Sequence, residues 1–124
     1  MKVIISLSSN YRQQENVIMA EGMLRAFFSA IVFSSRLMTK PVGMNNEEMF
    51  CNVIASGETT LPYPALRCIL KNIEKTLGRT SEQKEEGKII IDLDILLFGE
   101  KKFKLDDWSR DFNKVLLKEV GEKL

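Results

Sequence analysis

The sequence predicts an α+β fold whose elements follow the order β-α-β-β-α-β, with one further helix at the C-terminus. Short runs of apolar, often β-branched residues alternate with two longer stretches whose apolar residues recur at helical spacing. Polar turns or Pro and Gly residues separate these runs. The chain has 124 residues, the length of one domain, and contains no internal repeat or linker. Residues 1–124 are therefore expected to form a single domain.

The first half of the chain contains three predicted strands and one helix. Residues 2–7 precede a polar turn at 8–10, which is typical of a strand followed by a loop. Residues 31–38 and 49–56 are the next two predicted strands, separated by a loop that contains Pro and Gly. The helix lies between the first two strands, and its apolar face consists of Val17, Ala20, Leu24, Phe27, Phe28 and Ile31.

The second half contains a helix, a strand and a final helix. Pro62 and Pro64 fall near the first turn of the helix, and Gly78 ends it. The apolar stripe of this helix is Leu66, Ile69, Leu70, Ile73 and Leu77. Residues 80–88 are polar and charged and are expected to form a mobile surface loop, whereas 89–98 form the strongest strand pattern. The final helix starts near Ser109, with Phe112, Val115, Leu116 and Val120 facing inward.

This order of elements is the split β-α-β, or ferredoxin-like, pattern. It predicts a four-stranded antiparallel sheet with helices on one face, plus the C-terminal helix. In the last strand the residues expected to point together into the helix-covered core are Ile91, Leu93, Ile95 and Leu97.

Composition and charge exclude several classes of function. Eighteen Lys and Arg against seventeen Asp and Glu leave a net charge of +1, which argues against a nucleic-acid or membrane-surface binder. The chain has no histidine, so it cannot form a Ser-His-Asp triad or a His-based zinc site. Cys51 and Cys68 lie among apolar neighbours and are expected to be buried free thiols. No apolar run is long enough for a signal peptide or a membrane span, so a cytoplasmic protein is expected.

Asp92 and Asp94 are the main candidates for chemistry. They alternate with apolar residues and therefore share one face of the predicted strand, about 6.5–7 Å apart. Their mutual repulsion calls for a balancing cation, either a divalent metal such as Mg²⁺ or a Lys or Arg from a neighbouring element. The alternative is an exposed sheet face on which both carboxylates are hydrated.

A bound nucleotide would have to be held without a glycine-rich cradle. Neither a P-loop nor a dinucleotide-binding motif is present. Metal and cationic side chains would then carry the phosphates. Glu74 and Arg79, at the end of the second helix, could both reach such a site, and the alternative is that they are ordinary surface charges.

Asn52 is the polar residue of an otherwise apolar strand segment. A side-chain amide suits the edge of a flat heterocycle, although it could equally cap a loop or face water. Phe50, Phe112 and Trp108 could stack on a ring, and core packing is the alternative for both phenylalanines.

Five segments, in order and with matching spacing, resemble the hydroxymethyldihydropterin pyrophosphokinase family. The resemblance runs from residue 6 to residue 99, and the segment around the two aspartates is the most specific. The five segments are SLSSN (6–10), SSRLMTKPVG (34–43), FCN (50–52), IEKTLGR (73–79) and IDLDILLFG (91–99).

The resemblance implies transfer of pyrophosphate from ATP to 6-hydroxymethyl-7,8-dihydropterin, a step of folate biosynthesis. Asp92 and Asp94 would hold two Mg²⁺ ions and, with Arg79, form the catalytic group. Glu74 and Lys88 would join Arg79 on the nucleotide side. The resemblance places around the pterin Thr39, Val42, Phe50, Asn52 and Phe112. The expected partners are the pterin and ATP, in a monomer or weak homodimer.

The chain also departs from the family at charged positions. Ile89 and Ser81 replace two family arginines, and Glu86 replaces a tryptophan. Lys84 and Lys88 would offset these losses only as point charges. Two further hypotheses follow: a catalytically degenerate relative that binds pterin or nucleotide, and a ferredoxin-like interaction module.

Overall fold

A computed structural model describes residues 1–40 and 48–123, with the side chain of residue 84 left out. Within this part of the chain lie six strands and five helices. The strands are β1 (Lys2–Ser9), β2 (Ala30–Phe33), β3 (Leu37–Thr39), β4 (Phe50–Glu58), β5 (Asp92–Phe98) and β6 (Lys101–Lys102). The helices are α1 (Gln13–Leu24), α2 (Tyr63–Thr76), α3 (Ser81–Glu85), α4 (Leu105–Ser109) and α5 (Asp111–Glu119).

The strands form one antiparallel sheet in the order β2-β4-β1-β5-β6, with β3 also paired to β4. This confirms the ferredoxin-like arrangement, although the sheet has six strands rather than four. The predicted strand at 31–38 is split in two because Ser34 bonds to β4 through both its backbone and its side chain. Its N–H donates to the Ile54 carbonyl at 2.8 Å, and its Oγ accepts the Ile54 N–H at 2.9 Å. The sixth strand, β6, extends a turn after β5.

Each face of the sheet carries its own apolar core, and β1 contributes to both. Val3, Ile5 and Leu7 pack beneath α1 and α2. Ile4 points to the opposite face, where the C-terminal helices α4 and α5 pack. The core of this second face consists of Ile4, Ile54, Leu96, Leu97, Trp108, Leu116 and Leu117.

A β-bulge in β5 changes the direction of one predicted core residue. Ile5 pairs with Ile95, but Ile4 pairs with Leu97, so Leu96 is an extra residue in the ladder. Leu97 was expected beside Ile95 and instead packs on the second face. The Trp108 Nε1 donates to the Leu96 carbonyl at 3.0 Å, which attaches α4 to the bulge.

Two helices differ from their predictions, the first in where it ends and the last in which residues it buries. The first helix ends at Leu24 and continues only as a 3₁₀ turn, so Phe27 is exposed rather than buried, and Ile31 belongs to β2. Val115 is exposed and Leu117 is buried in its place, because α5 turns a different face to the sheet.

Two segments contain helices that the sequence did not indicate. The predicted loop at 80–88 includes the short helix α3, and α4 precedes the final helix. Both are only five residues long, too short to show a helical period.

The two cysteines differ in burial, although both are free thiols. Cys51 is buried under α1 and α2, and this burial raises the pKa of its thiol. Cys68 was also expected to be buried but lies on the exposed side of α2. Among the described residues, no helix is long and apolar enough to cross a membrane.

Gly57 permits a close approach between β4 and the chain entering β2, and this yields a test of the fold. A Cβ at this position would lie 2.8 Å from the Ala30 carbonyl oxygen. We expect Gly57→Ala to lower the free energy of unfolding by about 1–3 kcal/mol, because rigid backbone blocks the added methyl. Urea denaturation followed by circular dichroism measures this change.

The matched control is Gly22→Ala in α1, where a Cβ would have no neighbour within 4 Å. It should raise stability by about 0.5–1 kcal/mol, since Ala favours the helix. Equal effects of the two substitutions would contradict this packing.

Candidate functional site

The central position of β1 brings the polar residues of three strands together on the second face of the sheet. In the two ladders Ser8 lies opposite Asn52 on one side and Asp92 on the other. Ser6 lies opposite Asp94. Residues directly opposite in antiparallel strands have Cβ atoms about 4.5–5.5 Å apart. The amide and the carboxylate pair, far apart in sequence, therefore become neighbours.

These residues line a cavity of about 160 Å³ between the sheet and the junction of α4 with α5. The sequence predicted six of its residues: Thr39, Phe50, Asn52, Asp92, Asp94 and Phe112. It did not single out the other six: Ser6, Ser8, Lys40, Asp107, Arg110 and Asn113. Four of the predicted ring-binding residues thus share one cavity with the carboxylate pair.

The two aspartates form an interacting pair. Burial raises the pKa of Asp94 to about 7, and Asp92 adds to the effect through its negative charge and by accepting a hydrogen bond from the protonated Asp94 carboxyl. The Lys104 Nζ lies 3.8 Å from an Asp94 oxygen and opposes this shift, whereas Asp107 reinforces it. The lysine side chain is 57% exposed, so it balances the buried carboxylate only in part. The pair therefore keeps a local excess of negative charge.

Arg79 supplies the main cation beside this pair. Its Nη1 donates to the Asp92 carboxylate at 2.9 Å and to the Glu74 carboxylate at 2.7 Å. The same nitrogen lies 3.2 Å from the Ile91 carbonyl oxygen. Of the two cation sources that the sequence left open, a neighbouring side chain is therefore present at Asp92.

Glu74 holds this arrangement from inside the protein. It is only 5% exposed, and besides Arg79 it accepts the Leu93 backbone N–H at 2.9 Å. Its carboxylate thus joins the end of α2 to β5 and fixes the guanidinium beside Asp92. It does not line the cavity.

The ring-binding candidates gather at the other end of the cavity. The Asn52 Nδ2 donates to the Thr39 Oγ1 at 2.7 Å and to the Leu37 carbonyl at 3.1 Å. The two phenylalanines of the cavity, Phe50 and Phe112, come from β4 and α5. Val42 lies outside the described residues, so its predicted role stays a prediction.

Lys88 lies in a different place from the carboxylate pair. Its Nζ sits 5.6 Å from the centre of the Tyr11 ring and 4.0 Å from a Glu86 oxygen. It lines a separate depression with Asn10 and Gln13. Among the described side chains of residues 80–88, none lines the cavity.

A second cleft of about 250 Å³ shares Asp94 with the cavity. It is lined by Arg67, Lys71 and Lys104, none of which was predicted from the sequence. One wall is aromatic, because the Tyr63 and Phe103 rings stack with their centres 5.0 Å apart. Only the contact of α2 with β5 reveals this cleft, since the basic residues of α2 resemble any solvated helix face.

Three cavity residues at the junction of α4 and α5 were missed for a related reason: Asp107, Arg110 and Asn113. Asp107 and Arg110 form an ion pair at 3.5 Å between α4 and α5, and both line the cavity. Their i, i+3 spacing is a sequence signal, but it is common to many surface helices.

The side-chain atoms that could coordinate a metal ion at this site are carboxylate oxygens. Among the described residues, no group of three or more His, Cys, Asp or Glu side chains is placed to hold a metal ion. A pair of carboxylates suits Mg²⁺, which takes one or two protein carboxylates and leaves its other positions to water and phosphate. The charge excess at Asp94 fits the same ion.

Two comparisons with known proteins identify relatives. The family model for 7,8-dihydro-6-hydroxymethylpterin-pyrophosphokinase (HPPK) matches residues 4–121. A folate synthesis bifunctional protein of Arabidopsis thaliana is 31% identical over 121 residues, which cover 90% of this chain and 25% of that protein. The chain thus spans about a quarter of the length of this relative.

The raised pKa of Asp94 predicts a pH-dependent stability in metal-free buffer. Its folded pKa of about 7 exceeds the ordinary aspartate value of 3.8, so folding takes up a proton between these pH values. Wild-type stability therefore falls as the pH rises from about 4 to about 7, and Asp94→Asn escapes this loss. The variant should be more stable by about 1–3 kcal/mol at pH 8 and nearly equal at pH 4.

Urea denaturation in EDTA at several pH values measures this difference. Glu100→Gln, which removes an exposed carboxylate after β5, is the control and should show no such trend. A stability difference for Asp94→Asn that is constant from pH 4 to pH 8 would contradict the prediction.

Proposed function

This chain belongs to the 7,8-dihydro-6-hydroxymethylpterin-pyrophosphokinase family, and we propose that it transfers pyrophosphate from ATP to the hydroxyl of 6-hydroxymethyl-7,8-dihydropterin. The observation that carries the proposal is the single cavity that contains both the Asn52 amide and the Asp92–Asp94 pair. A pterin ring held at one end would present its hydroxymethyl group toward the carboxylates at the other. We also propose that residues 1–124 act as one domain.

Asp92 and Asp94 are the proposed metal ligands. Their oxygen donors, their shared face and the charge excess at Asp94 support this role. Bound Mg²⁺ would supply positive charge to the transferring phosphoryl group. Two ions, as predicted, would need water and phosphate oxygens for most of their positions, since no group of three or more His, Cys, Asp or Glu side chains in the described part of the chain is placed to hold a metal ion.

Arg79 acts in this proposal as a positioning residue. Its Nη1 is hydrogen-bonded to Glu74 and Asp92, which fixes the direction in which Asp92 presents its carboxylate. Glu74 serves the nucleotide side indirectly, because its carboxylate contacts protein groups: Arg79, the Leu93 backbone N–H and, at 4.0 Å, the Lys71 Nζ.

The second cleft is the proposed place for the nucleotide. Its three cations, Arg67, Lys71 and Lys104, would meet the phosphates, and Asp94 opens into both the cleft and the cavity. The stacked Tyr63 and Phe103 rings offer an apolar wall for a base. The role of Lys88 on the nucleotide side stays a prediction. Lys88 lines neither the cavity nor the second cleft, and its Nζ contacts the Tyr11 ring instead.

In the proposed reaction the hydroxymethyl oxygen attacks the β-phosphorus in line, and AMP leaves. The residues of this chain contribute chiefly by position, because the ring and the triphosphate are held on the two sides of Asp94. Such positioning can supply about 7–11 kcal/mol of the barrier. A relative that binds both ligands without turnover is the second candidate, favoured by Ile89, Ser81 and Glu86 at the positions of the missing family residues.

An assay of AMP release tests the proposal. Wild-type protein with Mg-ATP and 6-hydroxymethyl-7,8-dihydropterin should form AMP and the pterin diphosphate in equal amounts. The double variant Asp92→Ala/Asp94→Ala should be slower by about 10³-fold or more, because it loses several kcal/mol of charge stabilisation. No AMP above this blank, from folded protein that still binds the pterin, would favour the second candidate.

The proposed binding of ATP in the second cleft leads to a separate prediction. Lys71→Ala should raise the KM for ATP about fivefold and leave the KM for the pterin unchanged, because an exposed charge contact contributes up to about 1 kcal/mol. Lys75→Ala is the matched control, since this exposed lysine lies on the same helix and lines neither space. Similar changes in both variants would argue against this placement of ATP.

A further inference from the structure

Ser8 occupies the point where the two halves of the cavity meet. It is the residue of the central strand that lies opposite both Asn52 and Asp92. Its hydroxyl donates to the Asn52 Oδ1 at 3.1 Å. The hydroxyl hydrogen is thus committed to the amide rather than to the neighbouring carboxylate.

The other hydrogen bonds of Asn52 use both of its N–H groups. The Nδ2 donates to the Thr39 Oγ1 and the Leu37 carbonyl oxygen and also lies 3.4 Å from the Phe50 carbonyl oxygen. The Oδ1 has two acceptor positions, of which Ser8 fills one. With respect to the described residues, Asn52 therefore offers a ligand one acceptor position and no free donor. The Thr39 hydroxyl accepts from Asn52, and its own hydrogen is not used in that bond.

We propose that Ser8 is a positioning residue that holds the Asn52 amide in this orientation and so determines which ring edge the cavity accepts. The matching edge carries an N–H donor beside an acceptor atom, as a cyclic lactam or amidine does. This inference rests on the proposed function and deepens it, because it assigns the donor and acceptor pattern to particular atoms of this chain.

Removal of the Ser8 hydroxyl should weaken ring binding without affecting the chemical step. Asn52 would then be held from its nitrogen side alone, and its Oδ1 would have no protein donor. A ligand N–H would have to fix the amide on binding, at a cost in affinity. Ser8 makes no hydrogen bond to the carboxylate pair, so the reacting groups keep their positions.

Ser8→Ala, Ser8→Thr and Asn52→Ala test this inference with 6-hydroxymethylpterin as the probe. We expect calorimetry without ATP to give a Kd about 5–10-fold higher for Ser8→Ala, and a value within twofold of wild type for Ser8→Thr, which keeps the hydroxyl. In turnover, Ser8→Ala should raise the KM for the pterin and leave kcat unchanged. Ser56→Ala is the matched control, because this serine of β4 lies on the same face outside the cavity.

The side-chain amide signals of Asn52 in a ¹⁵N–¹H spectrum give a readout without ligand. They are assigned by their loss in Asn52→Ala and should shift in Ser8→Ala but not in Ser56→Ala. Unchanged amide signals, or equal affinities of wild type and Ser8→Ala while Asn52→Ala binds weakly, would overturn the role of Ser8. Absence of pterin binding by the wild type, with shifted amide signals, would instead overturn the proposed function.

Discussion

The register of β1 between β4 and β5 is the constraint on which the site depends. Every polar residue that the three strands give to the cavity is opposite another because of this register. The apolar residues of β1 that pack under α1 and α2 hold it in place, since a slip of one residue would turn them to the other face. The alternation of side chains along β1 thus determines both which residues enter the core and which line the cavity.

The charge balance of the site depends on a small number of groups. Glu74 and Asp92 both contact one guanidinium, that of Arg79, whereas the cation that the described part of the chain places beside Asp94 is the exposed Lys104. A buried carboxylate without a full partner is costly, and the rise in the pKa of Asp94 expresses this cost. This carboxylate lies where a cation is proposed to bind. The feature that destabilises the metal-free protein would therefore favour binding of Mg²⁺.

The sequence predicted the parts of the site that depend on strand alternation. Asp92 with Asp94 and Phe50 with Asn52 share a face because side chains repeat every two residues. Leu97 breaks this rule, since the bulge at Leu96 adds a residue that no periodicity reveals. Val115 was misplaced because a short amphipathic pattern does not fix which side of a helix meets the sheet. Cys68 was expected to be buried because of its apolar neighbours, but it lies off the apolar stripe of α2 and is exposed.

The sequence alone therefore determined the order of the main elements, the faces shared by strand residues other than Leu97, and the resemblance to the family that the family model matches. Tertiary structure decided which elements meet: it placed Ser8 against Asn52, turned Glu74 inward to Arg79, and brought Arg110 over the cavity. The physical reason is that direction within an element follows from local backbone geometry. Contact between elements follows from register, bulges and the sum of many weak packing interactions, which no single segment contains.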